Sequence, residues 1–395
     1  MKKIGIFLAS LVFLVLLSGT VKAATITSCG IVTENSVLAS NLSSIGQPSC
    51  LTIGANNIVL DCAGHSITGD GTGYGIYLLY KSGVTIKNCV VEGFHSGIRS
   101  AVGSNYNTFI NNTINNNIFG ILMTFSSNTV VTNNITNNNQ FGIFVFQNAN
   151  YNTFTNNIAN NNFLYGIYSA SNFNNTFINN TLSNNGSFGI YFLHSDNNKI
   201  YNNNFIDNIH QASVPFSIGN IFNLDSPTGG NYWSDYDTPG EGCNDENNDG
   251  FCDAPYYFYY GGYGYGGDGG VDHLPWSRQN GWLDSDGDGI LDEVDTCPYE
   301  DATGYDVNLD GCIDRVEDLP GIVEGLNLEE GIETSLVSKI ENAVQSLEKG
   351  NQGAAINKLE AFINQVEALK GKKILVEDAE MLIEYAESII TQIGG

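Results

Sequence analysis

The run Asn107-Thr108-Phe109-Ile110-Asn111-Asn112, closed by Gly120-Ile121, decides the fold because it keeps returning. It comes back as Asn152-Thr153-Phe154-Thr155-Asn156-Asn157 before Gly166-Ile167, and as Asn175-Thr176-Phe177-Ile178-Asn179-Asn180 before Gly189-Ile190. Gly-Ile pairs begin at Gly75, Gly97, Gly120, Gly142, Gly166 and Gly189, with spacings of 22, 23, 22, 24 and 23 residues. The other motif keeps step at Asn128-Thr129-Val130-Val131-Thr132-Asn133 and at Asn198-Lys199-Ile200-Tyr201-Asn202-Asn203, with a cryptic copy at Val84-Thr85-Ile86-Lys87-Asn88-Cys89. Two independent signals sharing one period mark a repeat architecture.

Within each unit, two or three apolar or β-branched residues alternate with polar ones before Asn or Gly ends the run. Such runs are strand-like and too short for helices, and Asn tolerates the left-handed backbone of a tight corner. A single coil cannot bury its apolar face, whereas stacked coils can. Coils about 4.8 Å apart superimpose equivalent side chains. The expectation is an inward stack of Ile98, Ile121, Ile143, Ile167 and Ile190, a second of Phe109, Val130, Phe154, Phe177 and Ile200, and asparagine ladders at the turns. A leucine-rich repeat would need a Leu framework and a helical half that are missing, and a propeller blade about 40 residues.

Charge divides the chain. The formal net charge is -27, which speaks against a nucleic-acid partner. Residues 24–240 hold nine acidic side chains, 241–320 twenty and 321–395 thirteen, while Asp, Glu, Lys and Arg are all absent between Arg99 and Asp196. Met1-Lys2-Lys3, an apolar run from Ile4 to Leu17, and Ala23-Ala24 form the pattern of a secretory signal peptide over residues 1–23, with an uncleaved anchor as the alternative. No later stretch is a candidate transmembrane segment, so a secreted or cell-surface location is expected. Eight cysteines in an exported chain favour disulfides, and local pairing is expected: Cys29–Cys50, Cys62–Cys89, Cys243–Cys252 and Cys297–Cys312.

The repeat resembles the right-handed parallel β-helix of the pectate-lyase superfamily, in the branch named for the periplasmic copper-binding protein NosD. Val59-Leu60-Asp61-Cys62-Ala63-Gly64-His65-Ser66-Ile67-Thr68-Gly69 is similar to the first-coil motif of that branch. Gly230-Asn231-Tyr232-Trp233-Ser234-Asp235-Tyr236, followed by Asp249-Gly250-Phe251-Cys252-Asp253-Ala254-Pro255-Tyr256, resembles the segment that closes many archaeal members. The implied fold is an all-β solenoid over 24–240 with caps at both ends, then an acidic, Tyr/Gly-rich closing segment over 241–280.

Three acidic loops share one spacing: Asp245, Asn247, Asp249, Asp253; Asp284, Asp286, Asp288, Asp292; and Asp306, Asn308, Asp310, Asp314. Oxygen ligands at positions 1, 3 and 5, glycine at 6 and an acid at 9 suit Ca2+. Asp295 stands where a full EF-hand has Glu, and no long helix precedes any loop. The second and third loops, with Cys297 and Cys312, resemble thrombospondin type 3 calcium repeats over 281–320; an acidic spacer is the alternative. From Leu336 the apolar period becomes helical, which predicts three amphipathic helices. Asn351-Gln352-Gly353-Ala354-Ala355-Ile356-Asn357-Lys358-Leu359 and Phe362-Ile363-Asn364-Gln365-Val366 resemble the FIMAH domain, over 331–393.

Three functions compete. Polysaccharide lyases and hydrolases need charged groups in the groove. Those groups occur only on outer coils: Glu92, His95 and Arg99 early, His194, Asp196 and Asp207 late. His95 with Glu92 is the candidate acid–base pair. Copper carriage follows from the family name alone. Soft sites use Cys, Met and His, but past the signal segment the methionines are only Met123 and Met381, and the five histidines are scattered. The preferred reading is a non-catalytic binding or structural protein whose rigid face contacts carbohydrate or a cell-envelope component. Six Asn-x-Ser/Thr sites, at Asn41, Asn111, Asn134, Asn174, Asn179 and Asn185, are potential glycan acceptors.

Overall fold

The computed structural model describes residues 23–258, 269–292 and 295–394. The signal segment and most of the Tyr/Gly-rich stretch therefore lie outside the described residues. The described chain forms two compact units.

The first unit, up to Ile200 together with Phe205–Ile221, is a parallel β-solenoid of about 8 turns. One nine-stranded sheet runs from Ala24–Ile26 to Lys199–Tyr201, and a second from Gly30–Val32 to His210–Ser213. The third face carries shorter strands, from Leu42–Ser43 to Thr113–Asn115 and again from Ile158–Asn160; isolated bridges through Ile135 join the two series. Register aligns Ile76, Ile98, Ile121, Ile143, Ile167 and Ile190, all fully buried. Each glycine before these isoleucines is needed for close approach: a Cβ on Gly142 would lie 2.5 Å from the Gly166 carbonyl oxygen of the next coil.

The second stack needs one correction. It contains Leu60, Ile86, Phe109, Val131, Phe154 and Phe177, all fully buried, and Val131 takes the place expected for Val130, which is 38% exposed. The corners set this register. Asn111, Asn133, Asn156 and Asn179 all take positive φ of 54–56°, and the next residues, Asn112, Asn134, Asn157 and Asn180, form a buried ladder. Asn134 Oδ1 accepts from Asn112 N at 3.0 Å and Asn112 Nδ2 at 2.9 Å, while Asn134 Nδ2 donates to Phe109 O at 2.8 Å and to Asn157 Oδ1 at 3.0 Å. A second ladder runs through Asn117, Asn139, Asn162, Asn185 and Asn208. Each amide satisfies backbone groups that a bend inside the core would otherwise orphan.

In the second unit, Asp272 sits fully buried. It accepts from Asn231 N at 2.7 Å, Trp233 Nε1 at 2.9 Å and Leu274 N at 3.2 Å. Nearby, Trp276 packs on Phe251 with centroids 4.2 Å apart. The helical region has four helices rather than three: α1 Leu319–Gly325, α2 Glu330–Glu348, α3 Gln352–Leu369 and α4 Val376–Gly394. Leu319 and Val323 of α1 share a core with Leu336, Ile340, Leu359, Phe362, Leu382 and Ile389. Pro320 and Gly321 hide α1 from a propensity reading, although proline is accepted in a first helical turn, where its missing N–H is not used. The four disulfides join Cys29–Cys50, Cys62–Cys89, Cys243–Cys252 and Cys297–Cys312. Among the described residues no helix is long and apolar enough to cross a membrane.

Candidate functional site

The six-residue strands of the second sheet set two columns of rings on its outer side. Strand pairing aligns Phe119, Phe141, Tyr165 and Phe188 in one column, and Tyr77, Arg99, Leu122, Phe144, Tyr168 and Tyr191 in the other. The ladder spacing forces coil-to-coil stacking: centroids are 5.0 Å apart for Phe119–Phe141, 5.6 Å for Phe141–Tyr165 and 4.6 Å for Phe144–Tyr168. Edge contacts tie the columns together, at 5.0 Å for Phe119–Phe144 and 5.1 Å for Phe141–Phe144. At the early end His95 adjoins Phe119 at 5.3 Å, and the Arg99 guanidinium lies over Tyr74 at 5.3 Å. Tyr74, Tyr77, Phe119, Phe141, Phe144 and Tyr168 are all half-buried, so the rings form a surface, not a core. Burial pushes the Tyr77 and Tyr168 hydroxyls above the ordinary tyrosine range.

The sequence carries a signal for this strip that the Gly-Ile period alone does not reveal. Aromatic residues precede Gly-Ile at Tyr74, Phe119, Phe141, Tyr165 and Phe188, and Tyr77, Phe144, Tyr168 and Tyr191 follow it. Only strand register shows that they share one outer face.

The candidate catalytic residues are divided. His95 and Arg99 join the strip, whereas Glu92 lies on the third face, paired between Thr68 and Asn115. The His95 Nδ1 partner is Ser96 Oγ at 3.2 Å, and no hydrogen bond joins His95 to Glu92 among the described residues. Burial, then Arg99, hold His95 below its ordinary range. On the late coils, His194 stacks on Phe216 at 5.1 Å, and Asp196 Oδ1 accepts from Ile218 N at 2.9 Å.

The three acidic loops, all in the second unit, share one hydrogen-bond pattern. The first aspartate accepts from the backbone of the following turn: Asp245 from Asp249 N and Gly250 N, Asp284 from Gly287 N and Gly289 N, Asp306 from Asp310 N and Gly311 N. The acid at position 9 also closes each loop: Asp253 accepts from Glu246 N, Asp292 from Ser285 N and Asp314 from Val307 N. Each loop is thus folded by its own carboxylates. In the second loop, one ligand oxygen each from Asp284, Asp286 and Asp288 lies within 4.8 Å of the others. Asp286 Oδ2 and Asp295 Oδ2 are buried there without a hydrogen-bond partner. Burial, followed by the nearby Asp286, Asp288 and Asp292, pushes the Asp295 carboxyl up. Orphaned carboxylate oxygens facing like charges fit a hard dication.

Among the described residues, copper finds no comparable set. All eight cysteines are in disulfides, and Met123 is fully buried. Among the described residues, the group of three or more His, Cys, Asp or Glu placed to hold an ion is the all-oxygen Asp284–Asp286–Asp288 cluster, which lacks the soft donors a copper site favours.

Among solved structures, the chain is similar to a periplasmic alginate epimerase, AlgG, with 17% identity over 48% of this chain and 50% of that one, at a TM-score of 0.42. It is also similar to the A-module of the Azotobacter vinelandii mannuronan C-5 epimerase AlgE6, with 17% identity, 47% and 60% coverage and a TM-score of 0.37. An alginate lyase from Paenibacillus sp. str. FPU-7 matches at 14% identity, with 50% and 90% coverage and a TM-score of 0.30. The chain spans half to three-fifths of the length of the two epimerases. No curated protein matches it. Residues 322–391 match the FIMAH domain. Residues 20–238, more than half of the chain, match the periplasmic copper-binding protein (NosD) family, and the chain belongs to that family.

Proposed function

We propose that this is an exported, non-catalytic protein that binds a polysaccharide or cell-envelope polymer along the ring columns of the solenoid, with calcium ordering its acidic loops. The observation that carries the reading is the continuous aromatic surface around Phe119, Phe141, Phe144 and Tyr168. Flat rings present apolar faces to the C–H faces of sugars, and the tyrosine hydroxyls offer hydrogen bonds beside them. Stacked strands fix the rings in advance, so little side-chain entropy is lost on binding.

The full-length protein tested against a panel of soluble and insoluble polysaccharides should retain at least one, and Phe144→Ala with Tyr168→Ala should weaken retention by about ten-fold per ring. Retention of no polymer would leave a purely structural role. One observation favours a catalytic reading: burial and then Arg99 hold His95 below its ordinary range beside the strip. Yet no hydrogen bond joins it to Glu92 among the described residues, and Asp and Glu are absent from the sequence between Glu92 and Asp196. Oligosaccharide release that disappears in His95→Ala would replace the binding reading with this one.

A further inference from the structure

Resting on that reading, we infer that the ligand of the strip is an uncharged glycan, a neutral or N-acetylated polymer, and not a uronate. The two polymer classes ask different things of a protein surface. A polyuronate carries one carboxylate on every sugar and needs cations repeated at the same interval. A neutral glycan needs rings and hydroxyls.

The strip supplies the second kind of surface only. From Phe119 to Tyr168 its outward residues are Phe, Leu, Tyr and Thr, and Asp, Glu, Lys and Arg are absent from the sequence between Arg99 and Asp196. Its one guanidinium, Arg99, stands at the early end and is already placed over the Tyr74 ring. The protein as a whole carries a formal charge of -27, so an acidic polymer approaches against a repulsive field that salt only partly screens. Ring pairs stand on three successive coils, Phe141 with Phe144, Tyr165 with Tyr168 and Phe188 with Tyr191, and Phe119 extends the run by one ring, so an extended glycan lying along the axis meets rings on four coils in succession. The column from Tyr77 to Tyr191 covers five coil intervals, roughly 24 Å of strand spacing. Affinity should therefore climb with oligosaccharide length and level off once the chain outgrows that span.

The test sets the intact protein, with calcium present, against neutral polymers (a β-glucan, a galactomannan, chitin oligosaccharides) and against polygalacturonate and alginate. The salt is varied from about 50 to about 500 mM. The expected result is binding to a neutral or N-acetylated polymer that changes less than about two-fold with salt. Phe144→Ala should weaken it about ten-fold, and Phe144→Tyr, which keeps the ring, should restore it. Circular dichroism of each variant checks that the coils remain. Tighter binding to either uronate than to any neutral polymer, or binding that salt abolishes, overturns the inference while leaving glycan binding in place. Failure to bind either class overturns both.

Discussion

Val130 and Val131 are neighbours of one chemical type, yet Val131 is fully buried while Val130 is 38% exposed. Side chains alternate across a strand, so a shift of one residue exchanges inside for outside. The choice is made by Asn133, the left-handed corner, and Asn134, the inward rung, whose two partner coils fix its position. Val131→Ala should therefore cost about 1–3 kcal/mol of stability through the cavity it leaves. Val130→Ala should stay within about 0.5 kcal/mol. Urea unfolding of the two variants decides the register, and equal losses would contradict it. Asn157→Ala should be costlier still, because it strands the Asn134 N–H and the Val131 carbonyl that its amide serves. A loss of about 2–4 kcal/mol is expected from the same measurement.

Among the elements, the segment containing Asp272 carries a pH signature. Burial pushes its carboxyl up to about 7, against N–H donors from Asn231, Trp233 and Leu274 that pull it down. A raised carboxyl binds more protons folded than unfolded, so its contribution to stability is complete below the unfolded value near 4 and is lost as pH rises towards 7. Asp272→Asn should remove that slope between about pH 4 and 7. It should also destabilise the unit, since an amide brings a second donor into a cluster of donors. Unfolding curves across the pH range, wild type against variant, read both effects; parallel curves would rule out the titration. The acidic loops show how much an element can encode locally. Spacing alone named Asp284, Asp286 and Asp288 as partners, and the turn around Gly289 brings them together. Asp295 stands at position 12 of that loop in the sequence, and its Oδ2 is buried near the other carboxylates without a hydrogen-bond partner.

At the scale of the molecule, the solenoid and the second unit rest on different forces. The first is held by apolar stacks, amide ladders and two disulfides between neighbouring coils, the second by two disulfides and helix packing, with its acids clustered in loops. Calcium binding to the folded loops would stabilise the second unit by about 2.7 kcal/mol per site at a concentration one hundred times Kd. Calorimetric unfolding should then show a transition that moves down on chelation and recovers with calcium, while the solenoid transition stays in place. A thermogram unchanged by chelator, with no heat on calcium titration, would contradict the proposed sites.

The repeat, its β character, the asparagine corners and the spacing of the acidic loops are written in short motifs of the sequence, whereas the cysteine pairs are an expectation from proximity alone, and Cys29–Cys50 and Cys62–Cys89 each join neighbouring coils. Tertiary structure decided which of two adjacent valines faces inward, that a short Pro-containing helix joins the bundle, that His95 and Glu92 lie on different faces, and that rings from successive coils merge into one surface. The outcomes in the solenoid depend on register between segments some 23 residues apart, and that of the short helix on apolar contacts with helices further along the chain. Register is settled by the packing and hydrogen-bond satisfaction of whole coils against one another, which no single stretch of sequence contains.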